Sequence, residues 1–336
     1  MKNFFYTLVS IASIFFFTQC ENEPKYIGTD FKNLGTIING DTIITDIPCT
    51  AIVQMYVVDS LIVLQCFNTI DNKFAYVYNE KDGKFICSFG NIGRGPGELD
   101  FCNMTFRPDS KSFHFVTSHT LEHNIFYIDS ILNGNYTPTS IPLCNRLNCD
   151  VYPFSDSLML STANFFKEAN YRFSIMKSNG DTIIGYRDGT KRRTPVVIKP
   201  DYKKLFTYTN GALETEVFNL TRNSIKLASV KRYIKPEEKL EGTGINQDYP
   251  GITDISKAGN KYIYSGWTKS LSKAFPNKLI VFDWNGVAVG TIAIENNPAF
   301  RYVIEVNEAD KIIYIPLETK SGQLNIVRYD MSHLPL

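Results

Sequence analysis

Short apolar runs separated by polar turns fill the chain from about residue 34 to residue 330. The first complete unit contains four such runs, at residues 53–58, 61–67, 74–78 and 84–89. Runs of this length, rich in β-branched and aromatic residues and bounded by turn residues, are typical of β-strands. Because the turns Asp59-Ser60 and Asp82-Gly83 are tight, the unit predicts one antiparallel four-stranded sheet.

The same unit recurs along the rest of the chain. An Asp or Asn marks the turn between its first and second strands, at Asp59, Asp109, Asp156, Asp201, Asn260 and Asp310. Consecutive markers lie 45 to 59 residues apart, and a period of about 40–50 residues with four strands per unit is typical of a propeller. We therefore predict an all-β fold, a six-bladed β-propeller with four antiparallel strands per blade.

The last unit is too short for four strands, because it reaches the end of the sequence soon after Tyr329. An unpaired strand edge promotes aggregation, so the ring needs a strand from elsewhere. The β-rich segment 34–47 lies outside the six units, and its Asn39-Gly40 pair between β-branched runs predicts a hairpin. We expect this segment to pair with the final blade and to close the ring, which gives a propeller domain at residues 34–336.

The N-terminus predicts export. It combines Lys2, an apolar run over residues 4–17 and the sequence Thr18-Gln19-Cys20. The apolar run is too short to span a bilayer and is typical of a signal peptide. Cys20 resembles the lipidated cysteine of a bacterial lipobox, and Glu21-Asn22-Glu23 resembles the acidic export signal of surface lipoproteins in the Bacteroidota.

These resemblances imply a lipoprotein signal peptide at residues 1–19 and a lipidated linker at residues 20–33. Several acyl chains on Cys20 would hold the protein stably to a membrane. The expected location is the outer membrane or the cell surface, with the periplasmic face as an alternative. Cleavage by an ordinary signal peptidase, without lipid attachment, is the alternative for the leader itself.

A glycine-rich crossover follows the first unit. The sequence between Phe89 and Phe101 contains four glycines and Pro96. Glycine adopts positive φ without a steric penalty and proline fixes φ, so this composition predicts a chain reversal and no regular element. We expect it to lead from the outer strand of one blade to the inner strand of the next.

The crossover motif, Phe-Gly-x-x-Gly-x-Gly-Pro-Gly-Glu, and the repeated unit together resemble the six-bladed β-propeller lipoproteins of Bacteroidota called TolB-like or NHL-like. The resemblance covers about residues 34–330. It implies the propeller fold and an envelope location. Activity is largely unassigned in that family, so the resemblance implies no particular reaction.

Charge excludes one class of partner. The chain has 35 Lys and Arg against 34 Asp and Glu, a formal net charge of +1. Such a balance creates no long-range field that would gather nucleic acid. We expect no nucleic-acid partner, and we expect a monomer.

Six cysteines remain besides Cys20, and in an oxidising compartment they could pair in any of 15 ways. Those in or beside apolar strands are interpreted as small buried hydrophobic residues; they are Cys49, Cys66, Cys87 and Cys102. Cys144 and Cys149 flank a short polar loop and are the best candidates for a disulfide. No C-x-x-C pair occurs, so a structural zinc site is not predicted.

Two motifs have a chemical interpretation that we weigh against a structural one. Arg94 and Glu98 flank the crossover glycines and could form a backbone nest for an anion; we favour an ion pair between them across the turn. The sequence from His119 to His123 matches H-x-x-E-H. That metal motif requires a helix, for which there is no room between two strands, so we expect no metal site there.

Polar residues on inner strands are candidates for contacts in the central channel; they are Gln54, Asn103, Asp150, Asp254 and Glu305. Lactonase-type propellers hold Ca²⁺ with such groups. We predict a membrane-anchored module that binds an envelope protein or glycan, without a catalytic residue, metal or cofactor. The partner-binding candidates are Arg94, Glu98, Asn103, Asp254, Glu305 and the polar loop 236–250. A metal-dependent hydrolase or lyase of the NHL or lactonase type, with Ca²⁺ in the channel, is the alternative.

Overall fold

The computed structural model describes residues 25–100, 102–117, 120–143, 151–155, 157–162, 171–177, 181–187, 195–209, 213–234, 251–268, 276, 278–295 and 303–336. The predicted signal peptide, Cys20, the candidate disulfide Cys144–Cys149 and the loop 236–250 lie outside these residues. No helix among the described residues is long and apolar enough to cross a membrane.

Two short strands, β1 (Asn33–Ile37) and β2 (Asp41–Ile44), precede the blades. Blade 1 comprises β3 (Ala51–Val58), β4 (Leu61–Phe67), β5 (Lys73–Asn79) and β6 (Phe85–Asn91). Blade 2 comprises β7 (Met104–Arg107), β8 (Ser112–Thr117), β9 (Glu122–Tyr127) and β10 (Thr139–Pro142), with one helical turn, α1 (Ile128–Leu132), after β9. Blade 3 comprises β11 (Val151–Pro153), β12 (Leu158–Thr162), β13 (Phe173–Lys177) and β14 (Thr182–Tyr186).

Blade 4 comprises β15 (Val196–Ile198), β16 (Lys204–Thr209), β17 (Glu214–Thr221) and β18 (Ser224–Arg232). Blade 5 comprises β19 (Gly251–Ala258), β20 (Tyr262–Thr268), β21 (Lys278–Asp283) and β22 (Ala288–Ile294). Blade 6 comprises β23 (Glu305–Asn307), β24 (Ile312–Glu318) and β25 (Leu324–Asp330), and β2 completes it. The protein is therefore a six-bladed β-propeller with four antiparallel strands per blade, as predicted.

Hydrophobic contacts between neighbouring blades form the core. In β4, every residue from Leu61 to Cys66 is buried, because side chains on a strand alternate between two faces and a blade on either side covers each face. Between blades 1 and 2, Phe89 packs on Phe126 with ring centroids 5.2 Å apart. Cys66, Cys87 and Cys102 are buried and Cys49 is half-buried, all as free thiols, which agrees with their interpretation as small hydrophobic residues.

The N-terminal segment closes the ring, but without the predicted hairpin. β2 pairs antiparallel with β25, with Ile44 opposite Ile326. β1 instead adds to blade 5 as a fifth strand, parallel to β22. The Asn39-Gly40 pair therefore carries the chain from one blade to the next. A Cβ at Gly40 would lie 2.4 Å from the Tyr329 ring, so glycine is required there by close packing.

The N-terminal segment already contacts the outer side of the ring before β1 begins. The amide of Ile27 donates to the Arg232 carbonyl of blade 4 at 2.9 Å, and the Phe31 ring packs edge-on against Trp267 at 5.2 Å. Residues 26–44, here called the N-terminal strap, thus contact blades 4, 5 and 6 in succession. Within the strap, Leu34, Ile37 and Ile44 are buried.

Candidate functional site

The first strands of all six blades contribute to the wall of one cavity of about 1050 Å³. The turns between first and second strands surround its mouth, where Asp59, Lys111, Pro200 and Glu308 lie. This volume lies just above the usual range of ligand sites, about 300–1,000 Å³. The cavity is the candidate functional site.

A charged cluster from three consecutive blades lies on the cavity wall. Lys257 of β19 forms an ion pair with Glu305 of β23, and these side chains are 19% and 7% exposed. The Lys257 ammonium lies 4.1 Å from the centroid of the Tyr56 ring of β3, within the range of a cation–π interaction. The cluster therefore fixes a half-buried positive charge and a buried negative charge side by side.

Burial controls the protonation of this cluster. It raises the pKa of Glu305 to about 7, and the Lys257 ammonium opposes that shift only in part. Burial also raises the pKa of Tyr56, and the neighbouring Glu305 charge adds to the effect. Tyr56 is thus a neutral phenol, while the Glu305 carboxyl exchanges its proton near neutral pH.

Side-chain hydrogen bonds link neighbouring blades around the cavity. Tyr56 donates to the Met104 carbonyl at 2.9 Å, from blade 1 to blade 2. Tyr208 donates to the Thr253 carbonyl at 2.6 Å, from blade 4 to blade 5. The buried Gln65 amide donates to the Cys102 carbonyl at 2.6 Å and accepts from the Met104 amide at 2.7 Å. These bonds between blades fix the wall before any ligand arrives.

Charges at the mouth are also compensated. Lys111 donates to Asp59 at 2.7 Å, and Lys199 donates to Asp201 at 2.9 Å. Glu308 accepts from the backbone amides of Lys261 and Tyr262 at 2.8 and 2.9 Å. The described part of the site therefore presents paired charges and few isolated ones.

Three of the five channel candidates meet at this cavity, namely Gln54, Asn103 and Glu305. Asp150 lies outside the described residues, and so does the side chain of Asp254, although the Asp254 backbone belongs to β19. The pairing of β19 with β20 shifts register between Ile252 and Ser256.

The sequence alone did not identify Tyr56 or Lys257. One signal was present, because Lys257 and Glu305 are opposite charges at inner-strand positions of consecutive units. An opposite-charge pair at such positions could have been found from the repeat alignment.

The charged side chains of the crossover have different partners from those predicted. Arg94 does not pair with Glu98; it is exposed and its Nε lies 3.9 Å from the buried carboxylate of Asp100. Glu98 accepts from the Gly95 amide of its own loop at 2.7 Å. A Cβ on Gly93 would lie 2.0 Å from that carboxylate. The glycines thus make room for Glu98, which takes the position that an external anion would need.

The described part of the H-x-x-E-H motif forms no helix, as expected: Thr120 and Leu121 are in a turn, and Glu122 and His123 are the first residues of β9. Glu122 begins β9 and accepts from the Gly97 amide at 3.2 Å. His123 is buried, with its Nε2 2.8 Å from Nδ1 of His114, whose Nε2 lies 2.8 Å from the Ser112 hydroxyl. His119 lies outside the described residues. Among the residues that the structure describes, no group of three or more His, Cys, Asp or Glu is arranged to hold a metal ion.

No protein-family model matches the chain, and no curated protein matches it in sequence. Solved structures share the fold. A Bacteroides fragilis NCTC 9343 protein classed as exported is 12% identical, with a TM-score of 0.59 over 89% of this chain and 99% of that one. A DUF4221-family protein of Bacteroides vulgatus ATCC 8482 is 11% identical, with a TM-score of 0.52 over 91% and 98%.

A gluconolactonase of Xanthomonas campestris, XC5397, is also similar. It is 12% identical, with a TM-score of 0.52 over 88% of this chain and 91% of that one. At such identities the similarity establishes the propeller fold alone, because one fold supports many activities. Function must therefore be argued from the cavity and its side chains.

Proposed function

We propose that this chain is an exported, lipid-anchored propeller of the TolB-like or NHL-like kind that binds an envelope protein or glycan in its cavity. The observation that carries the proposal is the cavity itself, about 1050 Å³ in volume, with the Lys257–Glu305 pair on its wall. Enclosed sites with a few fixed polar groups are the usual form of a ligand site. Bonds between blades hold these groups in place, which reduces the entropy cost of binding.

The leader supports the location. Its apolar run is followed directly by Thr18-Gln19-Cys20, and a propeller of the same fold from Bacteroides fragilis is classed as exported. Arg94 is the crossover residue best placed for a partner, because it is 72% exposed.

Lipid attachment is expected at Cys20. Metabolic labelling with a fatty-acid probe should mark the wild-type chain and leave Cys20→Ala unlabelled, because the thiol of Cys20 is the acceptor of the lipid. Labelling of both proteins, or of neither, would contradict lipid attachment at this residue.

Partner binding is expected to depend on the cavity. Asn103 is exposed on the cavity wall, so Asn103→Trp should fill part of the space and lower partner recovery from envelope extracts by about tenfold or more, about 1.4 kcal/mol. Lys320→Trp, in the exposed turn between β24 and β25, is the matched control. Equal recovery by wild type, control and Asn103→Trp would contradict binding in the cavity.

A metal-dependent hydrolase or lyase of the NHL or lactonase type is the second candidate. One observation favours it, since burial raises the pKa of Glu305 to about 7 and an acid–base group works best near the ambient pH. The discriminating assay is a lactone and ester hydrolysis screen, with and without added Ca²⁺. Turnover that Glu305→Gln abolishes would favour the enzyme over the binding module.

A further inference from the structure

The Lys257–Glu305 pair determines which ligand charge the cavity accepts. A ligand carrying a net negative charge is attracted by Lys257 but repelled by Glu305, which is in direct contact with it. A ligand carrying a net positive charge is attracted by Glu305 but repelled by Lys257. Like-charge contacts inside a site are costly, so two adjacent charges of opposite sign that are largely shielded from water select against either kind of ion. The Lys111–Asp59 and Lys199–Asp201 pairs at the mouth add no preference for one sign, whereas the Glu308 carboxylate, held by backbone amides, adds a negative charge that disfavours anions.

Glu305 has fewer hydrogen-bond donors among the described residues than its carboxylate can accept. Among the described residues, its partners are the Lys257 ammonium and the backbone amide of Val306. An ionised carboxylate has about four acceptor positions. Burial raises the pKa of Glu305 to about 7 because these two partners replace only part of the lost hydration. Because Glu305 Oε2 is itself buried, a ligand that supplies a neutral O–H donor would satisfy a position on the other carboxylate oxygen.

Lys257 provides the complementary group. Its ammonium has three donors, and it contacts the Glu305 carboxylate on one side and the Tyr56 ring on another. A remaining N–H is able to donate to a ligand oxygen. The pair therefore presents a charged acceptor and a charged donor side by side, which matches two neighbouring hydroxyls on a sugar ring. One hydroxyl donates to Glu305 and the other accepts from Lys257.

The rest of the wall agrees with this ligand chemistry. The side-chain amides of Gln54 and Asn103 line the same cavity, and each amide can both donate and accept. The phenol rings of Tyr152 and Tyr202 also line it, providing apolar surface with a polar edge. A volume of about 1050 Å³ leaves room for more than one sugar ring.

We propose that the cavity binds a neutral saccharide, with two adjacent ring hydroxyls held by Lys257 and Glu305. This inference rests on the proposed function, because it names the ligand class of the same cavity.

The test begins with a glycan array that carries neutral, uronic-acid-containing and amino-sugar oligosaccharides. The neutral oligosaccharide that binds most tightly is then titrated by calorimetry. We expect neutral glycans to dominate the array. Their affinity should change less than about twofold between 0.05 and 0.5 M NaCl, because screening acts on net charge.

The double variant Lys257→Met/Glu305→Leu removes both charges together. Removing one partner would leave a buried unpaired charge and risk unfolding, whereas replacing both with apolar residues preserves stability in many proteins. Its affinity for the saccharide should fall by about tenfold or more at an unchanged melting temperature, because the two strongest hydrogen bonds are lost. Lys320→Met is the control and should bind like wild type.

The outcomes separate the two proposals. Preference for acidic or basic glycans, or full affinity in the double variant, would overturn the saccharide inference and leave cavity binding intact. The saccharide inference would also be overturned, and cavity binding left intact, if no glycan binds but wild type recovers a protein partner that Asn103→Trp does not. Absence of any glycan binding together with equal recovery by Asn103→Trp would overturn both.

Discussion

A chain that begins at Thr50 is expected to unfold or aggregate. It lacks the N-terminal strap, in which Leu34, Ile37 and Ile44 are buried, and also the buried Ile47. Burying each such side chain contributes about 1.5–3 kcal/mol, so their sum is comparable with a typical net stability of about 5–15 kcal/mol. The truncation also exposes the edges of β22 and β25, which then serve as templates for aggregation. Size-exclusion chromatography and circular dichroism would detect both effects.

Point variants make this prediction quantitative. Ile37→Ala should lower the free energy of unfolding by about 2–5 kcal/mol, because it opens a cavity at a fully buried site. Ile38→Ala is the matched control, since Ile38 is 44% exposed and its change should stay within about 0.5 kcal/mol. Cooperative melting of the Thr50 truncation at the wild-type temperature would show that the strap is dispensable.

The propeller is expected to lose stability steeply below pH 6.5 because of two buried histidines in blade 2. Burial lowers the pKa of His114 to about 2, with further contributions from His123 and Arg107. Burial, together with Arg107, lowers the pKa of His123 to about 4. In the unfolded chain both titrate near 6.5. The contribution of the two histidines is therefore fully present above about pH 6.5, and it falls at lower pH as the unfolded chain takes up protons that the folded chain excludes.

Each histidine contributes up to about 1.4 kcal/mol per pH unit in this window. Urea unfolding at pH 7.5 and pH 4.5 should therefore show that His114→Gln/His123→Gln loses about 3–5 kcal/mol less stability on acidification than wild type. His333→Gln, at an exposed position, is the control and should follow wild type. The explanation fails if the double variant and wild type lose the same amount, because the carboxylates common to both would then account for the acid sensitivity.

The blades could be predicted from the sequence because their turn residues and strand patterns are local features. The turn after β3 contains Asp59 at φ 53°, a conformation that Asp and Asn tolerate better than most residues. The turns after β7, β15, β19 and β23 contain the corresponding markers. Strand patterns between such turns are set by residues close in sequence, so the repeat alone determined the fold class.

Contacts between distant residues account for what the sequence did not reveal. Asn39-Gly40 has the local signature of a hairpin, yet β1 and β2 find better partners in two different blades. Closure of the ring likewise brings Tyr56 to Lys257 and Glu305. The predicted ion pair between Arg94 and Glu98 does not form, because Glu98 instead accepts a hydrogen bond from the nearby Gly95 amide.

The pairing of the N-terminal strap with the last blade also determines when the ring can close during synthesis. β2 is among the first strands to be made, but Ile326, opposite Ile44, follows roughly 280 residues later. At a typical rate of about 5–20 residues per second, that interval lasts about 15–60 s. During it, blades 1 to 5 can assemble by contacts between neighbours, and Ile44 can pack on blade 1, but the blade 6 half of its hydrophobic cluster and the strand that pairs with β2 do not yet exist. Ring closure is therefore a late step, and the edge of β2 stays unpaired until the final strand is made.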